Sequence, residues 1–155
     1  LHDGATPSGN SVAAMNLLRL ARMTGKSDFN AEAEKILKPA SAQALANPAG
    51  FTYLMSAVDF YLGPTGEIVV SGDPEDTVTQ KMIRRIQQAF LPNTVILFRS
   101  QDESTPEIDR VSDFTGSLGT VLGEPAVFWC EGFTCRKPIT ELRELERVIS
   151  EATRE

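Results

Sequence analysis

The sequence is poor in the residue types that build metal centres and disulfide networks. Its 155 residues contain only two cysteines and one histidine. Structural zinc sites use four Cys or His ligands, and small secreted domains use several cysteine pairs, so neither architecture is expected. We therefore expect no metal and no bound cofactor. The low cysteine content favours a reducing, cytoplasmic location.

Excess positive charge and long apolar runs are also lacking. Fifteen Lys and Arg residues stand against 21 Asp and Glu residues, which gives a net charge of -6. Such a surface repels nucleic acid and anionic membranes. No apolar run approaches the roughly 20 residues that span a bilayer. We expect neither nucleic acid nor a membrane as a partner, while a hydrophobic content of 41% is ordinary for a globular chain.

The beginning of the chain lacks the features of a translation start or a secretory leader. It opens at Leu1 without an initiator Met, a basic segment or an apolar leader. We interpret the sequence as part of a longer protein. Its length suffices for one domain or for two small lobes.

The first half of segment 1–64 predicts two helices. Ser8 or Asn10 is placed to cap the first helix, and Gly25 follows it as a left-handed stop. The second helix begins near residue 27 or 28. Pro39 lies inside its apolar pattern, where it removes a backbone donor and clashes with the preceding turn. We expect a kink or a break there.

A third helix completes segment 1–64. Asn47 and Pro48 are typical of an N-cap followed by the first helical position. The apolar residues that follow have helical spacing, and Gly63-Pro64 ends the element.

Segment 65–155 predicts a smaller α/β lobe. Apolar and β-branched runs predict three strands near residues 68–72, 94–98 and 126–130. The first two enclose a helix opened by Asp73, which makes a parallel, right-handed βαβ unit. A long polar connection covers residues 100–124.

The third strand and the last helix follow that connection. Trp129 and Cys130 are neighbours in the strand, so we expect only one of them to point into the core. Thr140 is placed to cap the final helix. The fold class is α + α/β, with three helices followed by a small three-stranded sheet flanked by helices.

Three segments together carry a resemblance to a known family. They are residues 2–20 (HDGATPSGNSVAAMNLLRL), residues 68–76 (IVVSGDPED) and residues 129–138 (WCEGFTCRKP). In this order they resemble the C-terminal end of the YyaL-like family, the spermatogenesis-associated proteins with an N-terminal thioredoxin-like domain. The resemblance implies a three-part protein: a thioredoxin-like domain, an α/α toroid similar to N-acylglucosamine 2-epimerases, and a C-terminal tail. Helices 1 to 3 are then the last helices of the toroid.

The loop from Asp3 to the first helix is the leading candidate for ligand binding. In toroids resembling sugar epimerases, such loops line the central cavity, so Asp3, Ser8 and Asn10 become candidates for binding carbohydrate hydroxyls. The alternative is a purely structural role, because a turn that leads into a capped helix requires the same residue types. His2 has the chemistry of a general base but lies at the end of the chain.

Cys130 and Cys135 form the second candidate site. A loop of this length permits a disulfide, and Gly132 can supply the tight turn. The spacing differs from the Cys-x-x-Cys of thioredoxin-type sites, and no helix begins at these cysteines. The alternative is two unpaired cysteines, one buried in the strand and one in a loop.

The predicted function follows from these features. We expect a C-terminal fragment without a complete active site, from a parent that binds or isomerises carbohydrate. One alternative is a thiol-redox protein in which Cys130 and Cys135 exchange with the thioredoxin-like domain, and another is a structural module that docks the other domains. The expected partners are the missing N-terminal domains, a carbohydrate and, through the apolar faces of helices 1 and 3, a second copy of the chain.

Overall fold

The chain is seen in a computed structural model that describes residues 2–101, 104 and 106–153. It divides into two compact units, residues 2–65 and residues 66–153. The first unit is helical. The second contains a mixed four-stranded sheet with two helices, so the predicted combination of helices with a small α/β part is confirmed.

The helical unit contains α1 (Gly9–Thr24), α2 (Ser27–Ala46) and α3 (Thr52–Leu62). Buried positions recur at helical spacing in each helix, as in the Ala14, Leu18 and Ala21 series of α1. Many of the buried side chains are alanines, which let helices approach closely. Helix α1 packs along both α2 and α3.

Pro39 does not break α2. The helix continues to Ala46, so the expectation of a break is wrong. Ala33 and Leu37 are buried before Pro39, and Ala40 and Ala44 are buried after it. This continuous apolar stripe keeps the two halves of the helix in register, so packing outweighs the lost donor and the steric clash of the proline ring.

The third helix begins later than its sequence predicts. Asn47 precedes a short 3-10 turn (Pro48–Gly50) without a side-chain cap bond, and α3 starts at Thr52. The predicted end is confirmed, because Gly63 follows Leu62 with a positive φ of 76°.

The second unit is built on the predicted βαβ arrangement. Strand β1 (Gly66–Gly72) leads through α4 (Thr77–Gln87) to β2 (Thr94–Ser100), and the two strands pair in parallel. Strand β3 (Ala126–Glu131) is antiparallel to β1. A two-residue strand β4 (Thr134–Cys135) adds a fourth strand where three were predicted, giving the order β2-β1-β3-β4.

One face of this sheet is covered by α4 and α5 (Leu142–Ala152). The core there joins sheet residues such as Ile68 and Trp129 to Met82 of α4 and Leu145 of α5. Cys130 alternates with Trp129 and therefore points to the opposite face. As expected, Trp129 belongs to this core and Cys130 does not, although both residues are buried, at 6% and 0% exposure.

Two predicted helix caps are also wrong. Asp76, rather than Asp73, caps α4 by accepting a hydrogen bond from Thr79 N at 2.8 Å. Asp73 accepts from Glu75 N and forms a turn upstream of the helix. Thr140 does not cap α5, which begins at Leu142, because the neighbouring residue 139 is held in an extended bridge with the third strand.

The long connection between β2 and β3 contains two 3-10 turns, Glu107–Arg110 and Thr115–Ser117. Residues 102, 103 and 105 of the predicted connection lie outside the described residues. Among the residues that are described, no helix has both the length and the apolar content to cross a membrane.

Candidate functional site

The Asp3 carboxylate joins the starts of two helices. Its Oδ1 accepts a hydrogen bond from Ser8 N at 2.8 Å, at the N-cap of α1. Its Oδ2 accepts from Tyr53 N at 2.9 Å and from Leu54 N at 3.0 Å, in the first turn of α3. The first N–H groups of a helix have no partner inside the helix, so this carboxylate supplies the missing acceptors.

The environment of Asp3 stabilises its charged form. The residue is only 5% exposed. Burial by itself would raise the pKa of the carboxyl, but the donated backbone and Ser11 hydroxyl hydrogen bonds outweigh burial. Together they lower the pKa of Asp3 from 3.8 to about 2.

The other predicted loop residues have different environments. Ser8 caps α1 as predicted, because its Oγ accepts from Ser11 N at 3.2 Å. Asn10 is the second residue of α1 and is exposed. His2 is also exposed, and its ring meets the Phe51 ring edge-on with centroids 5.8 Å apart.

An open groove of about 310 Å³ lies beside this cap. One wall comes from the loop before α1, and the other from the first turns of α3. Its lining includes three hydroxyl-bearing side chains. The lining residues are Asp3, Gly4, Ala5, Pro7, Thr52, Tyr53 and Ser56. Both Asp3 oxygens are already used by backbone donors, so the side chains that offer hydroxyls to this groove are those of α3.

Cys130 and Cys135 are joined by a disulfide. The interpretation as two unpaired cysteines is therefore wrong. Cys130 is fully buried in β3, whereas Cys135 is half-buried in the short edge strand β4. The two residues face each other directly in the antiparallel register. No helix begins at the pair, so no helix dipole acts on either sulfur.

The turn that closes this hairpin contains two residues with positive φ. Gly132 has a φ of 56° and Phe133 has a φ of 64°. Two positive φ values are typical of a tight type I′ turn, but a bulky side chain rarely adopts this conformation. The Phe133 ring packs against the Phe114 ring with centroids 5.0 Å apart.

A buried glutamate supports the same turn. Glu67 lies in the central strand β1 and is 0% exposed. Its Oε2 accepts a hydrogen bond from Phe133 N at 3.1 Å. In the sheet register Glu67 is the direct partner of Cys130. A carboxyl group, a buried cysteine and a constrained turn therefore meet on one face of the sheet.

A partly buried ion pair lies at the other side of the sheet. Arg99 at the end of β2 donates two hydrogen bonds to Asp109 Oδ2, the shorter at 2.7 Å, and the side chains are 13% and 16% exposed. Thr115 Oγ1 donates to Asp109 Oδ1 at 2.8 Å. This cluster anchors the long connection to the sheet. Within the described ranges, no three His, Cys, Asp or Glu residues are grouped so as to hold a metal ion.

Sequence reasoning found only part of the two sites. It singled out Asp3 but not its hydrogen bonds to α3, and it did not single out Glu67. A charged residue in an otherwise apolar strand was the available signal for Glu67, because a charge is buried only when it has partners.

Comparison with known proteins places the chain inside much larger relatives. It is 30% identical over 147 residues to spermatogenesis-associated protein 20 of Rattus norvegicus and to that of Mus musculus. It is 26% identical over 151 residues to an uncharacterised protein of Caenorhabditis elegans. These alignments cover 95% to 96% of this chain but only 18% to 20% of each relative. No family model and no solved structure matches. The chain is thus similar to a portion of a larger protein, and it spans about a fifth of the length of these relatives.

Proposed function

We propose that the chain is the C-terminal part of a multidomain protein and that residues 2–65 complete an α/α toroid whose cavity binds carbohydrate. The chain carries no complete active site of its own in this proposal. The observation that carries the proposal is the convergence of α1 and α3 on Asp3, beside an open groove.

The directions of the three helices support a toroid. Helices α1 and α3 both start at Asp3 and pack along each other, so they run in the same direction. Helix α2 follows α1 and precedes α3 in the chain through short connections, so it runs in the opposite direction. Alternating directions of this kind are what successive α/α hairpins in a ring require.

The groove chemistry supports a polyhydroxylated ligand. Thr52 and Ser56 are exposed and Tyr53 is half-buried, and all three line the groove. Ser56 Oγ donates to Thr52 O at 3.3 Å, which leaves the oxygen lone pairs of this hydroxyl available as acceptors. Hydroxyl groups beside an aromatic ring suit the alternating polar and apolar surfaces of a sugar.

The test is a calorimetric titration of the longer protein that carries this chain, with N-acetylglucosamine and glucose as probes. The double variant Thr52→Val/Ser56→Ala removes two groove hydroxyls and is expected to weaken binding at least tenfold. Ser41→Ala is the matched control, since Ser41 is an exposed helical serine whose hydroxyl donates to Lys38 O at 2.7 Å, away from the groove. Equal affinities in all three proteins would contradict the proposal.

The disulfide favours a second candidate function, thiol–disulfide exchange with a thioredoxin-like domain of the parent. The supporting observation is that Cys130 and Cys135 are bonded and that Cys135 lies on a short edge strand. The native protein is incubated with dithiothreitol and then alkylated, and mass spectrometry measures whether the disulfide has been reduced. Reversible reduction without unfolding is expected, whereas reduction only in denaturant would mark a structural disulfide.

Exposed apolar side chains support the proposed partners. Leu45, Leu62 and Leu122 are 77%, 75% and 99% exposed. We propose that such residues contact the remaining domains of the parent, which is the docking role, or a second copy of the chain. Sedimentation of the chain at several concentrations tests the second possibility, and a strict monomer would contradict it.

A further inference from the structure

We propose that the Cys130–Cys135 disulfide is a redox switch for the long connection between β2 and β3. In the oxidised chain the disulfide holds the Phe133 ring against the Phe114 ring, and its reduction releases this contact. The inference rests on the second proposed function, because thiol–disulfide exchange is the reaction that reduces the bond. It identifies the segment that such exchange regulates.

The disulfide closes a very short hairpin. Cys130 and Cys135 face each other in β3 and β4, and only five positions separate them in the chain. Strand β4 consists of two residues. A pair of strands this short is marginal without further support. The covalent bond is therefore an important restraint on the position of Cys135.

The turn inside this hairpin holds Phe133 in an unfavourable backbone conformation. Its φ of 64° is one that bulky residues rarely adopt, and such conformations persist where the surroundings fix them. Relaxation to a negative φ rotates the chain about the N–Cα bond, which displaces both the ring and the residues that follow. Cys135 lies two positions later and is bonded to Cys130, so the disulfide opposes this rotation. Reduction allows it.

A hydrogen bond to the central strand is compatible with both positions of the ring. Phe133 N donates to Glu67 Oε2 at 3.1 Å. Rotation about the N–Cα bond leaves the nitrogen in place, so this bond need not break when the ring moves. The expected change is therefore a displacement of the ring and not unfolding of the sheet.

The Phe133 ring connects the hairpin to the long connection. Its centroid lies 5.0 Å from that of Phe114, which immediately precedes the second 3-10 turn of the connection. Aromatic pairs of this kind stabilise beyond the burial of their surface. Loss of the ring contact therefore loosens the second turn. The first turn stays on the sheet, because Arg99 binds its Asp109 independently of the hairpin.

The reduction balances with a dithiol as the reductant. The dithiol gives up two electrons and two protons and leaves as a disulfide, the Cys130–Cys135 bond breaks, and both cysteines become thiols. A dithiol of a thioredoxin-like domain supplies this chemistry in the longer protein, and dithiothreitol supplies it in the test.

The test compares the oxidised chain with the chain reduced by dithiothreitol, using nuclear magnetic resonance. A nuclear Overhauser effect between the Phe114 and Phe133 rings is expected in the oxidised chain and should disappear on reduction. Leu118 N, which donates to Thr115 O at 2.9 Å in the second turn, should exchange its hydrogen at least about tenfold faster. Ser112 N donates to Ile108 O at 2.9 Å in the first turn, and its exchange should stay within about twofold.

Two variants test whether the ring contact carries the effect. In Phe114→Leu the exchange of Leu118 N should be fast in both redox states, so reduction adds little. Phe90→Leu is the matched control, since Phe90 is an aromatic residue with 81% exposure, and it should respond to reduction like the parent chain. An undiminished effect of reduction in Phe114→Leu would overturn the proposal, as would an unchanged ring contact in the fully reduced parent.

A variant without the bond separates failure of the switch from failure of the exchange function. Cys135→Ser removes the disulfide and keeps the buried Cys130 side chain, and it should show the reduced-state exchange of Leu118 N without any reductant. If the native disulfide resists dithiothreitol, the exchange function fails. An intact contact between the rings of Phe114 and Phe133 in Cys135→Ser would overturn the switch itself.

Discussion

Asp3 Oδ2 accepts a hydrogen bond from Leu54 N at 3.0 Å, across 51 positions of the sequence. The same carboxylate also binds the N-cap of α1 through Ser8 N. One buried side chain thus fixes the relative positions of two helix starts. The wall of the groove that we propose to bind carbohydrate depends on this contact.

Replacing Asp3 is expected to destabilise the chain strongly. Asp3→Asn removes the charge and one acceptor and leaves buried backbone donors with weaker partners, at a cost of about 2 kcal/mol. Urea unfolding followed by circular dichroism measures it. Asp113→Asn, at an exposed aspartate, is the control and is expected to change the free energy of unfolding by less than about 0.5 kcal/mol. Equal effects of the two substitutions would contradict the assignment of Asp3 as a cap.

The same carboxylate predicts a dependence of stability on pH. The folded pKa of Asp3 is about 2, below the ordinary value of 3.8. Its contribution is therefore fully present above the unfolded pKa and is lost as the pH falls towards the folded value. The shift corresponds to about 2 kcal/mol. The difference in unfolding free energy between the parent and Asp3→Asn should shrink between about pH 4 and pH 2, and a difference that stays constant would contradict the prediction.

The Arg99–Asp109 pair is expected to matter more than the exposed ion pairs. Arg99→Met leaves the mostly buried Asp109 without its bidentate partner, and we expect a loss of about 2 kcal/mol. Arg136→Met is the matched control, since Arg136 and Glu131 are 64% and 57% exposed. Its cost is expected to stay below about 1 kcal/mol. Chemical unfolding of both variants tests the difference, and a cost at Arg99 no larger than that at Arg136 would show that burial does not strengthen this pair.

Leu122 offers a stabilising substitution. Val121 and Glu124 exchange backbone hydrogen bonds around a two-residue turn, in which Leu122 and Gly123 have φ values of 54° and 86°. Leu122 is 99% exposed, so replacing it loses no buried surface. Leu122→Asn creates the preferred Asn-Gly turn and should stabilise the chain by about 0.5–1 kcal/mol.

The control for this prediction is Leu62→Asn. Leu62 is 75% exposed but lies in a helix, where asparagine gives no conformational gain. Thermal unfolding should show a higher midpoint for Leu122→Asn alone. A lower thermal midpoint for Leu122→Asn than for the parent chain would contradict the prediction, because it would show that Leu122 stabilises the fold.

Local features of the fold were predictable from the sequence. Ser8 and Gly25 mark the ends of α1 because capping depends on residues a few positions away. The βαβ unit follows from two short apolar runs around one amphipathic helix, and its parallel pairing is confirmed. The tiny strand β4 has no sequence pattern of its own and exists because it pairs with β3.

Long-range contacts were not predictable in the same way. Asp3 and Tyr53 are 50 positions apart, and Glu67 and Phe133 are 66 positions apart. No periodicity connects such pairs, so the start of α3 and the support of the hairpin turn were both missed. The local preference of Pro39 predicted a kink or a break, but packing along the apolar face of α2 keeps the helix unbroken.

The groove at the shared helix start is tested most directly by backbone amide chemical shifts of the longer protein, measured while N-acetylglucosamine is added. The account predicts saturable shift changes concentrated at Gly4, Ala5, Thr52, Tyr53 and Ser56, which line the groove. Saturable shift changes elsewhere with none at these residues, or no changes at all, would contradict it.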